Sequence, residues 1–473
     1  MRLFVLAACA VACHVAQGTP ELPDAGSPPD AGGPAVLQHH NDGSRSGLYD
    51  DAAFTRTVSL KRQLSFDATV SGNVYAQALY VNGGLIVATE SNQVSFLRGD
   101  TGAAVWRRSL PAPVPLSKLP CGNIDPLGIT GTPIIDGGAL YLDAMTWDGT
   151  APRHLVYALS LSDGSTLPGW PVDVDARLPG FVSAVQNERG ALALIHGTLF
   201  VPYGGHAGDC GTYRGSVVAI PLATPQSPVL WQTRAVRGGI WAPPGLATDG
   251  DFVFAATGNT SGTSVWSDGE AVLKLSPALQ VADSFAPLNW KQLDDADADI
   301  GGSGALLVHV PGATPPDLAA AIGKDGKIYL LDRGHLGGIG GALSQAQVTT
   351  GSIGAPATYT TALGTYVVFH GPGQGCATGD LTAVRISAAS PPVASVAWCA
   401  QENGSGSPIA TTSGVVFVVG AEGDDKVHAF DGDTGAALFT SEAFGAVRRY
   451  TAPIIANGTL YVAGDGRVYA FKP

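Results

Sequence analysis

Short runs of alternating apolar and polar residues recur along most of the chain, separated by turns that often carry Asp and Gly. One recurring phrase is an alternating strand, a polar turn and a second strand that often ends in Trp, as in QVSFLRGDTGAAVW, LVYALSLSDGSTLPGW and KVHAFDGDTGAALF. The phrase occurs seven times in full, and an eighth copy, RVYAFKP, is cut short by the C-terminus. Alternation with a period of two between turn signals predicts β-strands rather than helices.

A second hairpin pattern precedes each of these phrases, for example ALYVNGGLIVAT, PPGLATDGDFVFAATG and APIIANGTLYVAG. Two hairpins per unit make four antiparallel strands, and units of about 40–60 residues match the blades of a propeller. The pattern therefore predicts an all-β fold, an eight-bladed β-propeller with four antiparallel strands per blade.

The truncated last unit lacks an outer strand. The segment KRQLSFDATV, residues 61–70, has strand character but no hairpin ahead of it. We expect this N-terminal strand to pair within the last blade and close the ring, which also removes an exposed sheet edge.

Composition agrees with one large closed architecture rather than several small domains. The 473 residues include 63 Gly and 33 Pro, and only 14% are charged. A net charge of −13 without a Lys/Arg cluster excludes a phosphate-binding surface for nucleic acid. We expect a monomer whose partner is a small-molecule ligand or a protein of the cell envelope.

The N-terminus has the shape of an export signal, with one Arg, a short apolar run and then small residues. Residues 1–18 are interpreted as a leader, residues 19–37 as a disordered Pro/Gly/Asp-rich tether and residues 38–473 as the propeller. Cys9 and Cys13 each resemble a bacterial lipobox cysteine, and Cys13 leaves the more reasonable apolar length. Plain cleavage after a small residue is the alternative. We expect a periplasmic or outer-membrane-anchored lipoprotein that touches the membrane only through its lipid.

Four cysteines remain after the leader, an even number that suggests two disulfides in an exported chain. Sequence proximity favours Cys376 with Cys399, which leaves Cys121 for Cys210. Three pairings exist in principle.

The aromatic-Ala-Leu, Asp-x-x-Thr-Gly, Trp phrase resembles the repeat of the pyrroloquinoline quinone (PQQ) enzymes and their relatives, the quinoprotein alcohol dehydrogenase-like propellers. The resemblance covers roughly residues 38–473 and implies an eight-bladed fold. The same repeat occurs in non-enzymatic relatives such as the lipoprotein of the outer-membrane assembly machinery, so it does not by itself imply catalysis.

The resemblance assigns roles to two residues at the ends of one hairpin. In the dehydrogenases a Trp eighteen residues before a Gly-Asn forms the floor under the quinone ring, and Trp241 and Asn259 have that spacing. An indole face suits a planar cofactor. Asn259 corresponds to a calcium ligand, and an amide oxygen suits that hard cation. Packing between blades and a simple turn are the structural alternatives.

Two further residues correspond to the reacting end of the quinone site. In WKQLDDADADIGGSG, the last Asp, Asp299, matches the family's catalytic base and would also lie at the metal. Lys324 falls where the family places a cation against the quinone oxygens, with a catalytic and a cofactor-binding role. We expect Asp294 and Asp295 to lie in a solvated loop, and an ordinary hairpin turn is the alternative for Lys324.

The chain departs from the family pattern in two places. It lacks the adjacent cysteine pair that lies above the quinone. Cys210 stands where the family has a calcium-ligating Glu, so Asp209 is the substitute candidate for the metal. The pair His39 and His40 could bind a metal, but an isolated pair beside a tether is more often solvated.

These observations favour an exported, lipid-anchored PQQ-like propeller with a degenerate quinone site. The alternative is an active PQQ- and calcium-dependent dehydrogenase that oxidises an alcohol or sugar. The missing Glu and cysteine pair favour the first interpretation, and the joint spacing of Trp241, Asn259, Asp299 and Lys324 favours the second. The chain has no C-x-x-C-H haem segment, so a dehydrogenase would need an external electron acceptor.

Overall fold

The structure is a computed structural model that describes residues 35–473. The leader and most of the tether, including Cys13, lie outside the described residues. Within them the folded part begins at Val36, which is buried and pairs with Tyr80, two residues before the expected boundary. None of the helices in residues 35–473 is long and apolar enough to cross a membrane.

Residues 35–473 form eight blade sheets of mainly four antiparallel strands and one two-stranded ribbon, and the innermost strand of each blade is largely buried. Three short strands precede the first complete blade: β1 (Leu48–Tyr49), β2 (Lys61–Arg62) and β3 (Ala68–Thr69). Blade 1 comprises β4 (Leu79–Val81), β5 (Gly84–Ala88), β6 (Gln93–Arg98) and β7 (Ala104–Ser109). Blade 2 comprises β8 (Ile134–Asp136), β9 (Ala139–Trp147), β10 (Pro152–Ser160) and β11 (Val172–Asp173).

The next two blades carry short additional strands. Blade 3 comprises β12 (Gln186–Asn187), β13 (Ala193–Ile195), β14 (Thr198–Gly205), β15 (Ser216–Pro221) and β16 (Val229–Gln232). The following segment contains β17 (Val236–Arg237), β18 (Ala247–Thr248), β19 (Val253–Thr257), β20 (Thr260–Ser261), β21 (Ala271–Leu275) and β22 (Val281–Ala286). Of these, β18, β19, β21 and β22 form blade 4, while β17 and β20 pair as a separate ribbon.

Blades 5 to 8 complete the ring. Blade 5 comprises β23 (Ala305–His309), β24 (Asp317–Ile322), β25 (Lys327–Asp332) and β27 (Ser344–Gln347). The intervening strand β26 (Gly338–Ile339) pairs in parallel with β22 of blade 4. Blade 6 comprises β28 (Ala357–Thr361), β29 (Gly364–His370), β30 (Leu381–Ile386) and β31 (Ala394–Ala400). Blade 7 comprises β32 (Ile409–Thr411), β33 (Val415–Val419), β34 (Val427–Asp431) and β35 (Ala437–Thr440). Blade 8 comprises β36 (Ile454–Ala456), β37 (Thr459–Gly464) and β38 (Arg467–Lys472).

The helices are short and lie in loops between blades. They are α1 (Val174–Arg177), α2 (Trp290–Ala296) and 3₁₀ turns at Leu116–Lys118, Ser183–Val185 and Ile300–Ser303.

The N-terminal strand closes the ring as predicted. Strands β2 and β3 both pair antiparallel with β38, with Lys61 opposite Lys472 and Ala68 opposite Val468. The eight-bladed, all-β architecture with four-stranded blades is thus confirmed. Apolar faces of neighbouring blades pack against each other, for example Leu79 and Ile86 against Leu140 and Leu142, and each such side chain contributes roughly 1.5–3 kcal/mol on burial.

An unexpected element follows the tether. Residues 36–51, which we call the N-terminal clasp, hydrogen-bond to the inner strand or adjoining turn of every blade. The contacts from blade 1 to blade 8 are Val36 N to Tyr80 O (2.8 Å), Ile135 N to Leu37 O (2.8 Å), Arg45 Nη2 to Leu192 O (2.6 Å), Thr248 N to Gly43 O (2.7 Å), Leu307 N to Ser44 O (3.0 Å), Thr358 N to Ser46 O (2.8 Å), Ala410 N to Gly47 O (2.8 Å) and Gly458 N to Asp51 Oδ2 (2.7 Å).

The expectation that His39 and His40 are solvated was wrong, because both lie inside the N-terminal clasp. Both rings are buried, stack with their centroids 4.5 Å apart, and have their pKa lowered by burial, that of His40 to about 3. Arg45 is buried beside them and its guanidinium also donates to the carbonyl of Leu246. The histidines are therefore neutral packing groups inside the clasp.

Candidate functional site

One cavity of about 280 Å³ contains all five residues that the sequence placed at a cofactor site. It is lined by Asp209, Trp241, Asn259, Asp299 and Lys324, together with Asn187, Arg189, His206 and Tyr213. The residues come from loops at the ends of inner strands in blades 3, 4 and 5. The structure thus brings these side chains together, as the resemblance implies.

Backbone hydrogen bonds hold the loops of this cavity in register. Trp241 lies between β17 and β18, and Asn259 lies in the short link between β19 and β20. Gly238 N donates to Asn259 O at 2.8 Å, and Gly258 N donates to Gly239 O at 3.0 Å. The two ends of the hairpin therefore face the same cavity because their backbones are bonded to each other.

The turn after β24 is tied to the loop before β23 in the same way. Lys324 N donates to Asp299 O at 2.9 Å. Asp299 precedes the 3₁₀ turn that leads into the buried strand β23, so its side chain is held at the cavity wall and only 1% exposed.

Trp241, Asp299 and Lys324 form a compact cluster. The indole Nε1 of Trp241 donates to Asp299 Oδ2 at 3.2 Å, and Lys324 Nζ lies 3.1 Å from Asp299 Oδ1. The same ammonium lies 2.9 Å from Asp297 Oδ1 and 5.4 Å from the centre of the Trp241 ring. Half-buried Trp241 and Lys324 thus present an aromatic face and a cation to the cavity.

The charges of this cluster are tuned by burial and by each other. Burial raises the pKa of Asp299, and Lys324 opposes that rise by favouring the carboxylate. Burial lowers the pKa of Lys324, but Asp299 and Asp297 more than offset it, so the net shift is upward. The pair is a desolvated carboxylate next to a firmly charged ammonium.

Gly258 makes the Trp241–Asp299 contact possible. A Cβ at this position would lie 2.6 Å from Asp299 Oδ2 and 3.0 Å from Trp241 Nε1. The glycine of the Gly-Asn dipeptide is therefore required for close approach to the cluster.

Glu270 is a buried carboxyl behind Asp299 that the sequence did not reveal. It is fully buried, its Oε2 accepts from Ile300 N at 2.9 Å, and its Oε1 has no partner within residues 35–473. Burial, followed by repulsion from Asp299, raises its pKa to about 9. Its only sequence signal is a Glu directly before the buried strand β21, which is indistinguishable from a turn residue.

The expectation of a solvated loop at Asp294 and Asp295 was half wrong. Asp295 is exposed and pairs with Lys291. Asp294 is buried and accepts hydrogen bonds from Thr260 N at 2.5 Å and Thr260 Oγ1 at 3.0 Å. The two residues are consecutive in helix α2 and so point about 100° apart around its axis, and only Asp294 faces the protein.

The cysteines pair as sequence proximity suggested, Cys121 with Cys210 and Cys376 with Cys399. The first disulfide joins the loop after blade 1 to the loop of blade 3 that carries Asp209. Cys210, which stands in place of the family's calcium-ligating Glu, is thus engaged in this bond.

The donor set does not fit a calcium ion. Calcium takes six to eight oxygen ligands, usually with several carboxylates. Here Asp299 Oδ2 accepts from Trp241, and Asp299 Oδ1 lies 3.1 Å from Lys324 Nζ but has no hydrogen-bond partner in residues 35–473. Asp209 Oδ1 accepts from Tyr213 at 2.5 Å. Residues 35–473 contain no group of three or more His, Cys, Asp or Glu side chains suited to a metal. The predicted set of Asn259, Asp299 and Asp209 lines the cavity but lacks the carboxylates such an ion needs.

A planar quinone fits better than a metal. The half-buried indole of Trp241 lines the cavity and offers an apolar surface, and Lys324 can approach an electron-rich oxygen of a ligand there. Asn259, half-buried at the cavity wall, adds an amide.

Comparisons with known proteins agree with this fold. A PQQ-type family model, described as outer membrane protein assembly factor BamB, matches residues 382–473. A comparison with curated protein sequences finds no match. Quinohemoprotein alcohol dehydrogenase from Comamonas testosteroni is similar with a TM-score of 0.66 and 14% identity, over 93% of this chain and 80% of that one.

Two more solved structures show the same likeness. A europium-containing methanol dehydrogenase is similar with a TM-score of 0.68 and 13% identity, over 93% of this chain and 98% of that one. BamB from Moraxella catarrhalis is similar with a TM-score of 0.53 and 16% identity, over 88% of this chain and 98% of that one. At these identities the likeness shows the fold. The protein is an eight-bladed β-propeller, and its residues 382–473 match a PQQ-type repeat model, which agrees with the resemblance seen in the sequence.

Proposed function

We propose that the protein is an exported, lipid-anchored propeller whose axial cavity binds a planar aromatic ligand of the quinone type without oxidising an alcohol. The observation that carries the proposal is the convergence of Trp241, Asn259, Asp299 and Lys324 on one cavity that lacks a calcium donor set. The cavity volume of about 280 Å³ lies just below the usual range of about 300–1,000 Å³ for ligand sites, which suits one compact ring system.

Each residue has a separate part in binding. Trp241 supplies the stacking face, and its N–H is already used by Asp299, which holds the ring in one orientation. Lys324 donates to a carbonyl oxygen of the ligand, because its charge is kept by Asp299 and Asp297. The ligand would carry the redox chemistry of a quinone, and the protein would orient it.

An active dehydrogenase is the second candidate, favoured by Asp299. A carboxylate that is 1% exposed and has its pKa raised by burial suits a general base. Against this stands Cys210, which occupies the position where this class of enzyme has a Glu ligand and which is bonded to Cys121.

The test is a titration of the purified protein with PQQ, followed by quinone absorbance and calorimetry, with calcium and with a chelator. We expect saturable binding that does not require calcium. Trp241→Ala should weaken binding by about tenfold or more, since aromatic stacking and apolar burial are lost together. Trp266→Ala is the matched control, because that indole lies outside the cavity.

Two results would contradict the proposal. Absence of saturable PQQ binding would remove the ligand assignment. Calcium-dependent reduction of a dye with short alcohols, lost in Asp299→Asn, would establish the dehydrogenase instead.

The anchor is proposed from the leader alone, since Cys13 lies outside the described residues. Labelling of the full-length precursor in bacteria with a palmitate analogue tests it. Cys13→Ala should abolish labelling and Cys9→Ala should not. The family model described as an outer membrane assembly factor supports an envelope location and an envelope partner. We expect the protein to be a monomer, which light scattering after gel filtration tests.

A further inference from the structure

His154 is a charged group buried between blades 2 and 3, and its side chain is only 1% exposed. The ring Nδ1 lies 2.6 Å from Asp143 Oδ2, and Nε2 lies 3.0 Å from Gln186 O. A carbonyl oxygen can only accept, so Nε2 carries a hydrogen. Asp143 Oδ1 accepts from Tyr203 at 3.3 Å, as the oxygen of an ionised carboxylate does. With an acceptor at each nitrogen, the ring is an imidazolium that donates twice.

The other titratable groups near this ring keep one protonation state around neutral pH. Burial raises the pKa of Tyr203 and of Glu188 well above their ordinary values, so both hold their protons. Burial, followed by the charge of His154, lowers the pKa of His206 to about 4, so that ring is neutral. Asp175 in α1 adds a negative charge that favours the protonated His154 ring. Of these groups, His154 is the one that can change its charge near neutrality.

The sign of the pKa shift of His154 shows where that change falls. Burial lowers the pKa, but Asp143 and the hydrogen bonds to Asp143 and Gln186 more than offset it, so the net shift from 6.5 is upward. The ring therefore keeps its proton to a higher pH than a free histidine does. The stabilisation is fully present below pH 6.5 and is lost as pH rises through the folded-state pKa.

The protonated ring is bonded to two strands that lead into the axial cavity. Nε2 holds Gln186, the first residue of β12, and the next residue, Asn187, lines the cavity. Asp143 holds Tyr203 of β14, and Gly205 at the end of β14 lines the same cavity and pairs with Gln186. Loss of the proton leaves a nitrogen lone pair facing an acceptor oxygen, so one of the two hydrogen bonds of the ring is lost.

We propose that His154 is a positioning residue for the axial cavity: its proton holds β12 and β14 in the binding geometry, and loss of that proton at alkaline pH loosens this wall and weakens ligand binding. The inference rests on the proposed function for its ligand and adds regulation of the same site by pH. The loosening of the wall is a property of the free protein and is measured without ligand.

The first experiment is hydrogen–deuterium exchange of the wild-type protein at pH 6 and pH 9, with rates corrected for the intrinsic effect of pH. Protection over residues 186–189 and 203–206 should fall by about tenfold or more at pH 9, since each pH unit above the folded-state pKa shifts the equilibrium tenfold. Strand β37 in blade 8 is the internal reference and should fall much less. This measurement needs no variant, so it decides the matter even if a substitution at His154 prevents folding.

The second experiment compares PQQ affinity at the two pH values in the wild type and in His154→Gln, whose amide still donates but does not titrate. The wild type should bind about tenfold more weakly at pH 9, and His154→Gln should lose most of this dependence. His428→Gln is the matched control, because that buried ring is also paired with an aspartate, Asp424 at 3.2 Å, but lies in blade 7 away from the cavity. It should keep the wild-type pH dependence.

The outcomes separate the two claims. Equal protection of residues 186–189 at both pH values overturns the role of His154, and so does a pH dependence that survives in His154→Gln. PQQ affinity that is the same at both pH values overturns the coupling to the ligand. A wall that loosens with pH in a protein that never binds PQQ overturns the proposed function and leaves the positioning role of His154 standing.

Discussion

Gly258 allows the contact between Trp241 and Asp299 because it has no side chain to occupy the space beside them. In Gly258→Ala the new Cβ would meet Asp299 Oδ2 at 2.6 Å and must push the carboxylate or the indole away. We expect a loss of about 1–3 kcal/mol in the free energy of unfolding, the usual cost of overpacking, and a weaker Trp241 site. Urea denaturation and the PQQ titration measure the two effects.

Gly334→Ala is the control for this substitution. Gly334 lies in an exposed turn where a Cβ would meet only the Asp332 carboxylate at 3.1 Å, which can move. Equal stability of Gly258→Ala and the wild type would show that the cluster is looser than the structure indicates.

Glu270 makes the stability of the protein depend on pH. Its pKa is about 9 in the folded state against an ordinary 4.5, so between these values the folded state holds a proton that the unfolded chain releases. Stability therefore falls as pH rises through this window. Glu270→Gln cannot lose a proton, so its stability relative to the wild type should grow by about 1–3 kcal/mol from pH 5 to pH 7.

Urea denaturation at several pH values checks this prediction. Glu442→Gln is the control, since Glu442 is exposed, and its stability difference from the wild type should not change with pH. Parallel pH curves for Glu270→Gln and the wild type would rule out a protonated Glu270.

Only part of the site could be predicted from single residues. Trp241, Asn259, Asp299 and Lys324 were found because each stands at a spacing that a related repeat shares. Glu270 could not be found in this way. Its importance lies in burial and in a missing partner, and both depend on loops of other blades that no local pattern encodes.

At the scale of elements, the repeats predicted the hairpins because each strand alternates and each turn has its own local signal. The N-terminal clasp was missed for the opposite reason. HHNDGSRSGL has no apolar period and a composition typical of a loop, and its order comes from hydrogen bonds to five different blades, blades 3 to 7. Strand β26 was missed as well, because its two residues pair only with blade 4.

The Cys121–Cys210 disulfide holds an element of the site. The loop after β14 contributes His206, Asp209 and Tyr213 to the cavity wall, and Cys210 ties it to Cys121. In Cys121→Ser/Cys210→Ser we expect faster hydrogen–deuterium exchange over residues 206–213 and weaker PQQ binding. A loss of about 2–4 kcal/mol in stability should accompany both effects.

Cys376→Ser/Cys399→Ser is the control. That disulfide lies in blade 6 and neither cysteine lines the Trp241 cavity. A comparable loss of stability should leave exchange over residues 206–213 unchanged. Identical exchange in the two double variants would mean that the first disulfide stabilises the whole ring rather than this loop.

At the scale of the whole molecule, closure of the ring depends on the C-terminal strand β38, which pairs with the N-terminal strands β2 and β3. Strand β38 pairs with β37 on one side and with β2 and β3 on the other, and it buries Val468 and Phe471. Removing residues 467–473 would leave β2 and β3 unpaired, expose one edge of β37 and open the core between blades 8 and 1. Because a propeller buries each blade against two neighbours, we expect this truncation to abolish cooperative unfolding and to expose apolar surface.

Removing only residues 472–473 is the matched control, because it keeps Val468 and Phe471 in place. Circular dichroism during heating and gel filtration compare the two truncations. The longer truncation should aggregate or melt without a transition, and the shorter one should unfold close to the wild type. A longer truncation that retained the wild-type Tm would mean that the N-terminal clasp, which touches every blade, is sufficient to hold the ring together without its closing strand.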